Sequence, residues 1–260
     1  MNIIRDRPDL EPGQDILDWN SPGFSHPLGA LEKRLKNFSA RSSVEDIAEV
    51  ICGTRSFRRD QPAWADRGDL ANLFVLESGW AYKFAILAGG RRHISEFFGP
   101  GAICNWSRLS DFEEQGDILF KAGAKVTMLN ASALNILLEE QPGLGAVVRQ
   151  HEIARTLRTT QRVRTVISSA ATEKLLFLLL DLQSEATAVG LDPIWLALPF
   201  SQIEMADILG LTPVHVSRTF AKLEEDGLIT KDGRYVQLHD VTQIRETLSY
   251  RAFFDRSRSG

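Results

Sequence analysis

Cysteine is scarce in this sequence. Cys52 and Cys104 are the only two cysteines among 260 residues. A disulfide framework, a four-cysteine zinc site and an iron–sulfur cluster each need more sulfur ligands at defined spacings, so all three are excluded. We expect both cysteines to be reduced and partly buried, and a redox role for them stays an open alternative.

Long hydrophobic runs are missing as well. The longest, Leu175–Leu180, is bounded by Lys174 and Asp181 and is far shorter than the roughly 18 residues of a membrane-spanning helix. The amino-terminal residues are polar and acidic, unlike a secretory signal. We therefore predict a cytoplasmic protein that does not contact a membrane.

An excess of positive charge is also absent. The chain has 30 Lys and Arg against 34 Asp and Glu, and a net charge of −4, which argues against a general polyanion binder. The charge is unevenly distributed, however, because residues 213–223 contain two basic side chains and no acidic one. A sequence-specific DNA-binding protein needs positive charge only on its contacting face, so this composition permits DNA binding.

Catalytic motifs are lacking. The sequence contains no nucleophile elbow, Walker loop, dinucleotide fingerprint or metal-ligand spacing, and its five histidines are scattered. We predict that the protein is not an enzyme, and no metal or cofactor is predicted. Haem bound through His93, His151 or the cysteines stays an alternative.

The spacing of apolar residues changes along the first half of the chain. Residues 1–24 lack periodicity and predict a flexible extension, and apolar spacing predicts a helix over about 26–38. Ser42-Ser43-Val44-Glu45 has the form of a capping box and predicts a short second helix that continues to Ile51. Short apolar stretches then alternate with glycine-rich turns and predict a β-barrel or roll; they lie at 73–76, 80–84, 93–98 and 125–129. Residues 131–140 return to helical spacing.

A long helix is predicted from Pro142 to about Ala170, followed by another near 172–186. Its apolar stripe comprises Leu144, Val147, Val148, His151, Ala154, Leu157, Val163, Val166, Ile167 and Ala170, and arginines are assigned to the remaining faces. A narrow apolar seam of this kind is typical of a two-stranded dimer interface. The alternative is that this helix packs on its own β-domain.

Residues 201–226 contain the local signals of a helix-turn-helix. Ser201 and Glu204 form a capping box, Gly210 suits the left-handed residue that ends a helix, and Thr212-Pro213 begins the next one. A β-hairpin around Asp232-Gly233 then predicts a winged helix. Such a unit presents its second helix to the major groove of DNA.

The second helix sorts into an apolar face, formed by Val216, Phe220 and Leu223, and a polar face that we predict contacts DNA. Arg218 can donate two hydrogen bonds to guanine. The predicted DNA-binding residues are Thr212, Val214, His215, Ser217, Arg218 and Lys222, with Lys231 and Arg234 at the tip of the wing.

The sequence resembles the Crp/Fnr (cAMP-receptor-protein/Fnr) family of transcription regulators over about 53–245. The resemblance rests on residues 202–212 and 216–219, and on shorter matches at 76–80, 90–94 and 98–101. It implies a homodimer joined through the 142–170 helix, a palindromic double-stranded DNA site, contact with RNA polymerase and an effector in the β-roll. Arg218 and Ser217 match base-reading positions of the family, whereas Val214 stands where a glutamate is frequent.

The effector region departs from the family pattern. Gly101 is followed by Ala102 instead of glutamate, and acidic residues occupy 111–117 where an arginine would bind a cyclic phosphate. We predict that cyclic nucleotides do not bind, and the effector is unknown. By resemblance, the effector pocket would include Phe98, Cys104, Trp106, Thr159 and Thr160.

The predicted fold class is α+β, with an N-terminal β-roll of the cyclic-nucleotide-binding type, a long dimerisation helix and a C-terminal winged helix-turn-helix. The predicted domains are a flexible extension at 1–24, a helical lead-in and β-roll sensor at 25–141, the dimerisation helix at 142–170 and a DNA-binding domain at 171–260. A second hypothesis is a small-molecule or redox sensor whose winged helix contacts other proteins.

Overall fold

The computed structural model describes residues 26–39, 44–63, 72–109 and 116–254. The predicted extension at 1–24, the serines of the first capping box and most of the acidic segment at 111–117 lie outside these residues. Helix α1 spans Gly29–Lys36 and α2 spans Glu45–Ala48. The prediction that α2 continues to Ile51 was wrong, because Ile51 begins the first strand.

In the described part of the chain, seven antiparallel strands form the predicted β-roll. They are β1 Ile51–Ser56, β2 Gln61–Pro62, β3 Asn72–Ser78, β4 Ala81–Ile86, β5 Arg92–Phe98, β6 Asp117–Phe120 and β7 Lys125–Asn130. One sheet has the order β1-β7-β3 and the other β2-β6-β4-β5. An apolar core that includes Phe57, Phe74, Phe98 and Phe120 fills the roll. The sequence predicted β3, β4, β5 and β7 but did not single out β1, β2 or β6.

Three helices follow the roll. Helix α3 spans Ala131–Glu140, and the Asn130 side chain caps it by accepting a 2.9 Å hydrogen bond from the Ala133 amide. Helix α4 spans Pro142–Ser168 and begins on its proline, whose missing N–H costs nothing at that position. Helix α5 spans Ala171–Thr187, and its leucine run is buried between the roll and the C-terminal domain.

The apolar residues predicted as one stripe along α4 divide between two faces. Val148, His151 and Ala154 are buried against the rest of the chain. A second row points away from the chain. It comprises Leu157, Val163 and Ile167 of the predicted stripe, which are 46%, 51% and 78% exposed, together with Ile153, which the prediction did not include and which is 61% exposed. The single seam was therefore a wrong prediction. Helix α4 packs on its own chain, as the alternative held, and also carries this apolar row, hereafter the outer face of α4.

Two arginines on α4, Arg158 and Arg162, are buried in the interior of the protein. Arg158 Nε and Arg162 Nη2 each donate a 2.7 Å hydrogen bond to the Asp181 carboxylate. Arg158 Nη1 also lies 2.6 Å from Glu185 Oε1, and Arg34 pairs with the same carboxylate. All five side chains are buried. These residues, hereafter the buried ion cluster, join α1, α4 and α5, and the sequence did not predict that Arg158 and Arg162 are buried.

The C-terminal part is a winged helix. Helices α6 Gln202–Leu209 and α7 Pro213–Glu225 precede a sheet of β8 Leu196–Ala197, β10 Tyr235–Leu238 and β9 Ile229–Asp232, in the order β8-β10-β9, and α8 spans Val241–Thr247. Together with the roll and the long helix, this confirms the predicted α+β fold class. In the part of the chain that the structure describes, no helix combines the length and apolar character needed to span a bilayer.

Candidate DNA-binding site

Local signals define where the first helix of the helix-turn-helix begins and ends. The Ser201 hydroxyl accepts a 3.2 Å hydrogen bond from the Glu204 amide, and the Ser201 amide donates a 2.8 Å bond to the Glu204 carboxylate. At the other end, Gly210 has a φ of 65°, which glycine adopts at little cost, and it ends the helix. The predicted capping box and the glycine stop are therefore confirmed.

The second helix begins as predicted and has two distinct faces. The Thr212 side chain accepts a 3.2 Å hydrogen bond from the His215 amide, and Pro213 occupies the first helical position. Val216, Phe220 and Leu223 are buried in the domain core. The predicted contact residues Val214, His215, Ser217 and Arg218 are all exposed at the amino-terminal half of α7. This half of the helix is therefore free to meet another surface.

Five of the predicted contact residues line one shallow groove. They are Thr212, Val214, His215, Arg218 and Lys222, and they share the groove with Ala170, Ala171 and Thr172, where α4 gives way to α5. The sequence did not predict this second wall. The cue was present in Glu173, whose side chain accepts a 3.0 Å hydrogen bond from the Ala170 amide at the start of α5. Two helix amino termini thus open onto the same groove, an arrangement that favours anions.

Lys222 is engaged within its own helix. Its ammonium group lies 2.8 Å from Asp226 and 3.2 Å from Glu225, and hydrogen bonds to these two carboxylates raise the pKa of Lys222. To contact a DNA phosphate, Lys222 must exchange these partners. Arg218 therefore remains the stronger candidate for the central contact.

The wing differs in detail from the prediction. Asp232 pairs with Tyr235, so the two turn residues are Gly233 and Arg234, one position later than predicted. Lys231 consequently lies within β9, with its ammonium group 5.8 Å from the centre of the Phe220 ring, and its placement at the tip was wrong. Arg234 is at the turn, and its guanidinium lies 3.4 Å from the Leu198 carbonyl oxygen.

Of the residues predicted for the effector pocket, only Phe98 and Cys104 share one core. Phe98 and Cys104 are buried in the core of the roll. Trp106 instead packs on the core between the roll and α1 to α4. Thr159 and Thr160 lie on α4, and the Thr160 hydroxyl donates a 2.9 Å hydrogen bond to the Thr156 carbonyl oxygen of its own helix. These five positions therefore do not form one site in this structure.

Ion pairs that the sequence did not predict tie the helix-turn-helix to the roll. Arg92 Nε lies 2.8 Å from Asp207 of α6, and Lys121 Nζ lies 2.7 Å from Glu204 Oε1 and 2.5 Å from Asp60. Glu204 uses its other carboxylate oxygen for the capping box. The roll thus contacts the helix that positions α7.

Known proteins resemble this chain both in its helix-turn-helix domain and over most of its length. Residues 173–247 match the Crp-like helix-turn-helix domain, from α5 to α8. The nitrogen fixation regulation protein FixK of Azorhizobium caulinodans is 26% identical over 228 residues, which cover 85% of this chain and 91% of FixK. The transcriptional activator protein anr of Pseudomonas aeruginosa is 22% identical over 202 residues, covering 77% of this chain and 82% of anr.

Solved structures share the same architecture. FixK2 from Bradyrhizobium japonicum has a TM-score of 0.60 at 22% identity and covers 75% of this chain and 96% of its own. TTHB099, a transcriptional regulator of the CRP family from Thermus thermophilus, has a TM-score of 0.58 at 18% identity and covers 77% of this chain and 98% of its own. The likeness therefore extends well beyond the helix-turn-helix.

Proposed function

Because the chain is a DNA-binding transcription regulator of the Crp/Fnr family, we propose that it acts as a homodimer that reads a palindromic DNA site with the amino-terminal half of α7. The observation that carries this proposal is that α7 has one buried face and one exposed face. Val214, Ser217 and Arg218 are exposed, whereas the opposite face of the helix is buried in the domain core. A helix held by one face and open at the other can enter a major groove.

Arg218 is the proposed base reader. Its guanidinium can donate two hydrogen bonds to the O6 and N7 atoms of guanine, and the exposed Val214 offers an apolar contact for a thymine methyl group. The groove between Thr212 and Ala170–Thr172 lies beside Arg218 and suits a backbone phosphate, since the amino termini of α5 and α7 both line it. Arg234 at the wing is proposed to contact the DNA backbone.

The outer face of α4 is the proposed dimer interface. Exposed isoleucine, leucine and valine side chains recur along 153–167, and a second copy of the same helix would remove them from water. A twofold dimer built in this way presents two copies of α7 related by symmetry, and two such helices would read a palindromic site.

The roll is proposed to sense something other than a cyclic nucleotide. Phe57 and Phe120 stack at 4.5 Å between ring centres, and Phe74 contacts Phe120 edge-on at 5.5 Å. Among the described residues, these aromatic rings fill much of the interior of the roll, which supports an effector other than a cyclic nucleotide. The proposed domains are a sensor at 25–141, a dimerisation helix at 142–170 and a DNA-binding domain at 171–260. The dimer is further proposed to act in the cytoplasm, without catalytic activity, and to contact RNA polymerase.

The proposal is tested by selecting duplexes from a random pool with the wild-type protein and measuring affinity for the enriched sequence. Arg218→Ala is expected to weaken binding by about 1–3 kcal/mol and to relax the preference at one base pair of each half-site. Lys33→Ala is the matched control, because Lys33 is an exposed cation on α1. Failure to enrich any palindrome, or an equal loss in both variants, would overturn the proposed function and favour a winged helix that contacts proteins.

A further inference from the structure

The chain does not end at the winged helix but turns back over it. Ser249 has a left-handed φ of 49°, and the Tyr250 amide donates a 2.8 Å hydrogen bond to the Arg245 carbonyl oxygen of α8. These features reverse the direction of the chain directly after α8. Residues 249–254, hereafter the C-terminal strap, lie outside the matched helix-turn-helix domain at 173–247.

Tyr250 anchors the first part of the strap on α5. Its hydroxyl lies 3.3 Å from both the Leu180 carbonyl oxygen and the Asp181 carboxylate, and its ring meets Phe177 edge-on at 5.2 Å. The next residue binds α4 through its backbone, since the Arg251 amide donates a 3.1 Å hydrogen bond to Gln161 Oε1. The Arg251 side chain itself is exposed.

Phe254 anchors the far end of the strap. It is only 1% exposed and packs with Ala154 of α4 and Ala188 beyond α5. Its ring centre lies 5.0 Å from the Arg34 guanidinium and 5.3 Å from the centre of the His151 ring. The strap therefore runs from the winged helix to α4 and α1, and it covers one side of the buried ion cluster.

The position of the strap limits what it can do. None of its contacts involves the exposed half of α7, so it does not mask the proposed DNA-reading face. The winged helix, however, cannot rotate against α4 unless Phe254 leaves its site beside Ala154 and the hydrogen bond from the Arg251 amide to Gln161 breaks, which would expose a large aromatic side chain. We infer that the C-terminal strap is a positioning element that fixes the orientation of α7 relative to α4, and thereby the distance between the two DNA-reading helices of the dimer.

This inference rests on the proposed function, because the distance between two reading helices matters only for a dimer on two half-sites. A fixed orientation removes the ordering cost of binding both half-sites at once. Release of the strap is therefore expected to weaken binding to a two-half-site duplex by about tenfold while a single half-site is bound as before. The released variant is also expected to lose less affinity than the wild type when base pairs are inserted between the half-sites.

The test uses the full chain and the duplex that the wild type selects. Phe254→Ala removes the anchor, Phe254→Leu retains an apolar one and is expected to restore binding, and Arg251→Gln is the matched control within the strap. Amide hydrogen exchange at 249–254 reports release of the strap. If Phe254→Ala remains protected, Tyr250→Ala/Phe254→Ala is used in its place.

The outcomes separate the two proposals. An exchange-released variant that binds both duplexes like the wild type, and shows the same dependence on half-site spacing, overturns the positioning role. Equal weakening on the single half-site and on the pair also overturns it, since that result indicates damage to the reading domain itself. If the Arg218→Ala variant binds the selected duplex as tightly as the wild type does, the proposed function itself is overturned, whatever the strap variants show.

Discussion

Arg34 of α1 and Glu185 of α5 are separated by 151 residues in sequence and form a buried ion pair. The Arg34 guanidinium also donates a 2.6 Å hydrogen bond to the Pro100 carbonyl oxygen, and Glu185 accepts a 2.9 Å bond from the Gly99 amide. One pair of side chains thus joins the lead-in helix, the end of β5 and the helix that opens the C-terminal domain. Burial makes this junction intolerant of the loss of either partner.

Glu185→Gln is expected to destabilise the protein by about 3–5 kcal/mol, because Arg34 and Arg158 would be left as buried charges with less compensation. Urea unfolding monitored by circular dichroism measures this free energy. Glu225→Gln, which breaks an exposed ion pair with Lys222 on α7, is the control and is expected to leave the unfolding midpoint unchanged. Equal effects of the two substitutions would contradict a structural role for the cluster.

Gly99→Ala is expected to cost about 1–3 kcal/mol of stability, since overpacking forces buried neighbours to move. A Cβ at this position would lie 2.6 Å from Glu185 Oε2, against the carboxylate that Arg34 and Arg158 hold. Gly143→Ala is the control, because nothing lies within 4 Å of its added Cβ in the first turn of α4. The control is expected to gain a few tenths of a kcal/mol or more from helix propensity. A neutral Gly99→Ala would show that the loop can move away.

Stability is expected to fall in acid because of Asp181 and Glu185. Burial opposes their ionisation, but Arg158 outweighs it, together with Arg162 at Asp181 and Arg34 at Glu185, and holds the pKa of each below its usual value. The unfolded chain, with pKa values of about 3.9 and 4.3, then binds protons before the folded protein does. The contribution of the cluster is complete above these values and is lost as pH falls through the lower folded values.

Unfolding midpoints measured between about pH 3 and pH 7 test this dependence. Glu185→Gln removes one of the two groups and is expected to make the acid slope shallower. A wild-type slope equal to that of the variant would exclude Glu185 as a source of the acid sensitivity.

Ile167→Glu is expected to produce monomers, because it places a charge within the proposed dimer interface, where burial without a partner is costly. Ile136→Glu is the matched control: Ile136 on α3 is 56% exposed and lies away from the outer face of α4. Sedimentation equilibrium of both variants gives the oligomeric state. A dimeric Ile167→Glu protein would place the interface elsewhere.

The helix-turn-helix could be predicted from the sequence because its signals are local. Ser201 with Glu204, Gly210 and Thr212 with Pro213 each act within a few residues of their own position, and the structure places each as predicted. The wing turn shifted by one residue because both Asp232-Gly233 and Gly233-Arg234 satisfy a two-residue turn, and strand pairing chose the second.

The buried ion cluster and the strap could not be predicted in this way. Arg158 and Arg162 have the spacing of a solvated helix face, and their partner Asp181 lies within a leucine-rich helix, so neither segment alone indicates the other. Phe254 reaches its site because the chain reverses at the left-handed Ser249, two residues beyond the end of α8. A contact between distant segments does not change the hydrophobic periodicity of either segment, so the sequence pattern does not reveal it.

The inward-facing arginines of α4 also restrict how this sequence can diverge. Loss of Asp181 removes the carboxylate that pairs with Arg162 and one of the two that pair with Arg158, and loss of Arg158 leaves two carboxylates short of a partner. Each single substitution in the cluster is therefore expected to be destabilising. Well-packed apolar residues could replace the whole set at little cost, but only together. Relatives with the same fold are therefore expected either to keep these positions jointly or to have exchanged them jointly, which gives the cluster a covariation signature that the freely exposed face of α7 lacks.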